Sequence, residues 1–174
     1  RRMMSTPAVA VAGAKLETIR LSRIARENLA MALETLANHD SDKIASVKQK
    51  EGVINKVCDS VSEYLVELCS FHLNDKDSET VTSLLNTISD IERIGDYATN
   101  FDELAKKMSD GEIAFSESAR KELEILEDAV QEILRLTLEA LGDDSEYVAR
   151  RIEPLEEVID DMVLLLKDRH TARL

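Results

Sequence analysis

The chain contains no tryptophan, three tyrosines, three phenylalanines, five glycines and two prolines in 174 residues. A many-stranded β protein needs turn residues at short intervals and aromatic side chains on its strands, so this composition excludes one. Cysteine is scarce as well: only Cys58 and Cys69 occur. On one helix they stand about 16 Å apart along the axis, out of reach of a disulfide. Nothing suggests a secreted disulfide scaffold, and a reducing compartment is expected. No segment approaches the ~20 apolar residues of a membrane span. The stretch Pro7 to Ala14 is too short and too glycine-interrupted for a signal peptide, despite Arg1 and Arg2 ahead of it. Positive charge is the scarcer sign: 22 Lys and Arg face 35 Asp and Glu, a net charge of −13. Such a surface repels phosphate backbones, so no nucleic-acid partner is expected. It suits cations, basic partners, or solubility alone.

What is present is aliphatic. Hydrophobic residues make up 44% of the chain, and they recur at helical spacing. Thr6 and Pro7 mark a helix start, as N-cap and first helical residue. Apolar spacing follows through Leu16, Ile19, Ile24, Leu29, Leu33 and Leu36, until Asn38 to Asp42 breaks it. A second helix carries Ile44, Val47, Ile54, Val57, Val61, Leu65 and Leu68, and Asn74 to Ser78 is the next break. A third carries Val81, Leu84, Leu85, Ile88, Ile91, Ala98 and Phe101, ending near Ser109 to Gly111. A fourth runs from about Ser116 to Leu141. Gly142 to Ser145 closes it and caps a fifth, in which Pro154 produces a kink or a shifted start. Long amphipathic helices on short connections give antiparallel neighbours, hence an all-α, up-down bundle of five long helices.

The sequence repeats weakly at an offset of 105 residues. Glu27, Leu29, Leu33, Glu34 and Leu36 return as Glu132, Leu134, Leu138, Glu139 and Leu141. Glu51-Gly52-Val53-Ile54-Asn55 returns as Glu156-Glu157-Val158-Ile159-Asp160. The fourth and fifth helices thus repeat the first and second, and nothing repeats the third. The expected organisation is a complete three-helix unit over residues 1–110 and the first two helices of a second over 111–174. An uncovered apolar groove on the second unit would invite a partner, so a homodimer is expected; a sixth helix lying beyond the sequence is the alternative.

Heptad letters align the acids. Ile54 and Val61 take position a and Val57 d in the second helix; Ile88 and Gly95 take a and Ile91 d in the third; Ile152 and Ile159 take a, Leu155 and Met162 d, in the fifth. Glu51, Glu92 and Glu156 then share position e, and Asn55, Asp96 and Asp160 share position b. Residues four apart stack on one helix face, so each helix presents a Glu-x-x-x-Asp/Asn ladder beside its seam. Asp59 extends the ladder on the second helix and Asn100 on the third. Chance alone supplies about seven acidic i,i+4 pairs in so acidic a chain, so a solvated face explains the spacing equally. Like charges at i,i+4 nevertheless destabilise a helix, and facing ladders repel unless a cation lies between them. Carboxylates without histidine or thiolate select hard ions such as magnesium, calcium, manganese or iron. The Glu-x-x-His pattern of di-iron bundles is absent, and no hydrolytic or redox machinery is evident, so an enzyme is not expected. Gly95 at an inward position implies either close helix approach or ligand access, at a helix cost of ~1 kcal/mol against Ala. His39, His72 and His170 make no ligand pair and are read as surface or helix-end residues.

The segment Asp90-Ile91-Glu92-Arg93-Ile94-Gly95-Asp96-Tyr97-Ala98-Thr99-Asn100 resembles the signature of the PhoU family. Glu51 to Leu65 resembles the preceding family helix, and Glu156 to Asp160 its second-repeat counterpart. The resemblance implies two three-helix bundles whose acidic motifs hold multinuclear metal clusters. It implies one metal site around Glu51, Asn55, Asp59, Glu92, Asp96 and Asn100, with Glu156 and Asp160 as half of a second. The ion, divalent or ferric, is left open among magnesium, manganese, iron, calcium and zinc. Two departures stand out: Asn55 occupies a place where Asp is usual, and the second signature helix is absent. Residues 1–10 resemble the junction before the PhoU-like tail of bacterial sodium/phosphate cotransporters. That likeness implies a soluble regulatory tail on the cytoplasmic side of the plasma membrane, partnered by the transport domain of the same polypeptide. A free-standing PhoU regulator of phosphate ABC transport, or a metal-free dimerisation bundle, are the alternatives.

Overall fold

The computed structural model describes residues 7–38, 41–111 and 114–173. Among these residues the regular structure is entirely helical: α1 (Pro7–Asn38), α2 (Ser41–Leu68), α3 (Asp75–Asp110), α4 (Glu117–Asp143), the single turn α5 (Glu146–Ala149) and α6 (Ile152–Arg173). The bundle of long helices expected from periodicity is therefore the observed fold. Thr6, the expected first cap, and His39 lie outside the described residues. The chain divides into two compact units, Arg1–Ser109 and Asp110–Leu174.

In the first unit α1, α2 and α3 share one core. The buried stripe of α1 is Val11, Ala14, Thr18, Leu21, Ala25, Asn28, Ala32 and Thr35, in steps of three and four that make a strict heptad seam. Of the bulky residues read as its core, Ile19 and Leu29 are buried beside this seam, and the other four lie further off it. Leu16 is 70% exposed, and Ile24, Leu33 and Leu36 are half-buried. Small side chains hold the seam because they let neighbouring helices approach closely, while large aliphatics seal its edges. On α3 the stripe is Val81, Leu84, Ile88, Ile91, Gly95, Ala98, Asp102 and Ala105. On α2 it is Val47, Ile54, Cys58, Val61, Leu65 and Leu68. Val57, expected inside, is only half-buried. Its place is taken by Cys58, whose Sγ lies 3.9 Å from the Ile88 carbonyl.

The core changes character along its length. Val11, Leu21, Val61, Leu65, Val81, Leu84, Ile88 and Ile91 belong to one aliphatic cluster. Towards the C-terminal ends of α1 and α3 the interior becomes small and polar, with Asn28, Ala32, Thr35, Ala98, Asp102 and Ala105 all buried. Two side-chain contacts tie the helices there. Asn28 Nδ2 donates to the Val47 carbonyl of α2 at 3.2 Å. Thr35 Oγ1 lies 3.3 Å from Asp102 Oδ1 of α3. An exposed ion pair between Lys43 and Glu34 joins α2 to α1. The third helix starts earlier than the expected break allowed, because Asn74 Oδ1 accepts the backbone N–H of Asp77 at 2.8 Å and caps it.

In the second unit, Ser116 caps α4 by accepting the Ala119 N–H at 3.2 Å. Asp144 ends it in the left-handed region, at φ 48°, and Ser145 caps α5. The chain then breaks at Arg150 and Arg151, and α6 starts at Ile152. Pro154 thus falls in the first turn of α6, where its missing N–H has no helical partner to lose. It shifts the start and does not kink the helix. Arg169 of α6 reaches Glu122 of α4 at 2.9 Å. Among the described residues of this unit only Leu136 and Val148 are fully buried.

Candidate metal centre

Two rungs of the α2 ladder, Glu51 and Asn55, face a glycine of α3. α2 and α3 run antiparallel, as Cys58 beside Ile88 and residues 51–55 beside Gly95 require. A Cβ built on Gly95 would lie 3.7 Å from Ile54 Cγ2, 3.9 Å from Asn55 Oδ1 and 3.9 Å from Glu51 Cγ. Glu51 and Asn55 therefore stand directly opposite the turn of α3 that carries Glu92 and Asp96. The distances are ordinary van der Waals contacts, so close helix approach does not force glycine here; the missing methyl leaves the seam open beside Asn55.

Glu51 and Asn55 are half-buried, and Asn55 Nδ2 donates to Glu51 Oε1. Asn55 Oδ1 is buried and has no hydrogen-bond partner. Asp59, Glu92, Asp96 and Asn100 are exposed. Burial, then Glu92, then Asp59 push the Cys58 thiol up from 9.0 to about 11. The structure thus brings together Glu51, Asn55 and Gly95, while the charges of Glu92 and Asp59 act on the Cys58 thiol. Among the described residues, no three His, Cys, Asp or Glu side chains converge into a metal-holding group.

The donor set nonetheless suits a hard cation. It consists of oxygens, and it includes one buried amide oxygen that lacks a partner. The side-chain conformers do not close around an ion, since Glu51 is engaged by Asn55 and the other acids face solvent. On α6, Glu156 and Asp160 are exposed. Where α2 continues its ladder with Asp59, α6 has Leu164, 60% exposed, so the repeated ladder ends after two rungs. His72 and His170 are exposed, away from any such group.

Four polar residues escaped the periodicity argument. Thr18, Asn28, Thr35 and Asp102 are buried at seam positions, where apolar residues were sought. Asp102 was legible: it lies two heptads after Ile88, at the same position a.

Comparison with curated proteins and with solved structures gives no match. The family model of the PhoU domain matches residues 18–105, a span that holds most of α1, all of α2 and the ladder of α3. With half of the chain covered by that match, the protein belongs to the PhoU family.

Proposed function

We propose that this chain is a metal-binding regulatory module of phosphate transport, most like the cytoplasmic tail of a sodium-dependent phosphate transporter. Membership of the PhoU family supports the phosphate-regulatory part. The observation that carries metal binding is the unpartnered Asn55 Oδ1, buried beside Gly95 and next to Glu51, on the seam whose α3 side carries Glu92 and Asp96 in the same turn as Gly95. A bound cation would supply positive charge between ladders that otherwise repel, drawing α2 and α3 together. Glu51, Asn55, Glu92 and Asp96 would hold it, with Asp59 at the edge. Occupancy would then report the ionic state of the cell to whatever contacts these helices.

A regulatory role fits the chemistry better than catalysis. The buried thiol Cys58, held near pKa 11, is a poor nucleophile at neutral pH. No side chain of the seam is paired with a base that would activate it. The likeness of residues 1–10 to the cotransporter junction favours the transporter tail over a free-standing regulator. The gene ahead of Arg1 tests that choice: encoded membrane spans support the tail, and a start codon close upstream contradicts it. Metal content of protein purified from metal-replete cells tests the site. Bound divalent or ferric ion is expected, and its absence would remove the metal-binding assignment.

A further inference from the structure

We propose that the polar end of the first unit's core holds a small monovalent cation between α1 and α3, coordinated by Asp102, Thr35 and Thr99. This site is separate from the α2–α3 opening at Gly95: it lies one heptad further along α3, where Asp102 meets Thr35 of α1.

Three observations converge on it. Thr35 Oγ1 donates to the Ala32 carbonyl at 2.6 Å, and it lies 3.3 Å from Asp102 Oδ1. A hydroxyl has one proton, so Thr35 serves only one of these two acceptors at a time. Asp102 Oδ1 therefore has at most one long, neutral donor to set against a buried negative charge. Second, Asp102 is 1% exposed, its Oδ2 has no hydrogen-bond partner, and among the described residues no ion pair reaches it. Burial raises its pKa, against the Thr35 hydroxyl and the more distant charge of Lys48 on α2. Third, Thr99 sits one turn before Asp102, on the same face of α3. Thr18, Thr80, Thr82, Thr87, Thr137 and Thr171 each donate to the carbonyl four residues back. Thr99 does not, and its Oγ1 is buried without a partner.

A proton on Asp102 would bridge Oδ1 and Thr35, but would leave Oδ2 and Thr99 unsatisfied. A water would satisfy oxygens without neutralising the carboxylate. A single cation shared by both carboxylate oxygens and the two hydroxyls answers all of these at once. One buried carboxylate matches one positive charge; a divalent ion would leave an excess charge in the core. Ala32, Ala98 and Ala105 keep the surroundings small.

The test is thermal unfolding of the whole chain with divalent ions chelated, at one pH and ionic strength, in lithium, sodium, potassium or choline chloride. At least one of the small cations should raise Tm above the choline value by about 5 °C. Asp102→Asn, whose amide can donate to Thr35, should fold and lose that response. Thr99→Val, nearly isosteric, should weaken it, and serves if Asp102→Asn does not fold. Equal Tm in all four salts overturns the proposal, as does an undiminished response in the variants. A Tm that varies with pH but not with cation assigns the site to a proton and also overturns it.

Discussion

Asn55 Oδ1 of α2 and the backbone of Gly95 on α3 face each other with room for one methyl group between them: an added Cβ would sit 3.9 Å from that oxygen. The oxygen has no hydrogen-bond partner. Gly95→Ala therefore separates stability from binding. Alanine is the better helix former by ~1 kcal/mol, and its Cβ meets no clash, so denaturant unfolding should show a gain of up to ~1 kcal/mol. The same methyl covers Asn55 Oδ1, so affinity for a divalent ion should fall. A destabilised Gly95→Ala protein would show that the helices pack more tightly than these distances.

Cys58 and Cys69 should differ sharply in reactivity. Cys69 is exposed and Cys58 buried, and Cys58 keeps its proton up to about pH 11. A thiol reagent at pH 8 should modify one cysteine in the native protein and two after unfolding. The linkage has a definite sign. The folded thiol holds its proton above the unfolded value of 9.0, so stability is fully present below pH 9 and declines between pH 9 and about 11. Cys58→Ala should remove that alkaline decline, as seen in urea midpoints measured across this range.

Two leucines test the α2 core and the end of the repeated ladder. Leu65 is fully buried and Leu164 is 60% exposed. Leu65→Ala should cost roughly 2–5 kcal/mol. Leu164→Ala should change stability by less than ~0.5 kcal/mol. Similar losses in both would mean that the outer face of α6 is covered.

Asp144 is the one non-glycine residue with positive φ among those described. Asp144→Gly should relieve the left-handed strain at the end of α4 and stabilise by roughly 0.5–1 kcal/mol. A loss on thermal unfolding would show that the Asp side chain contributes more than its backbone costs.

The helical architecture was legible because punctuation and period agree. Pro7, Asn74, Ser116 and Ser145 each stand at a helix start, and apolar spacing fills the intervals. Which side of α1 faces inward was legible only in part, through the buried Ile19 and Leu29. Leu16, Ile24, Leu33 and Leu36 outweigh Ala14, Ala25 and Ala32 on any hydropathy scale, yet the alanines form the seam. Close helix packing selects small volume, which hydropathy does not weigh. Heptad position alone was enough to set Glu51 and Asn55 beside the seam that Gly95 lines. The opening at Gly95 and the unpaired oxygen of Asn55 depend on helix register, which periodicity leaves free. Cys58 was missed because a single cysteine carries no periodic signal, and its burial follows from the same register.

The central claim is that the seam between α2 and α3 takes a hard cation. Calorimetric titration of the metal-stripped protein with manganese tests it most directly, beside the double variant Glu92→Ala with Asp96→Ala. Neither residue is buried, so the variant should fold. Saturable binding by the parent protein and its loss in the variant is the predicted result. Equal binding by both proteins, or none by the parent, would contradict the account.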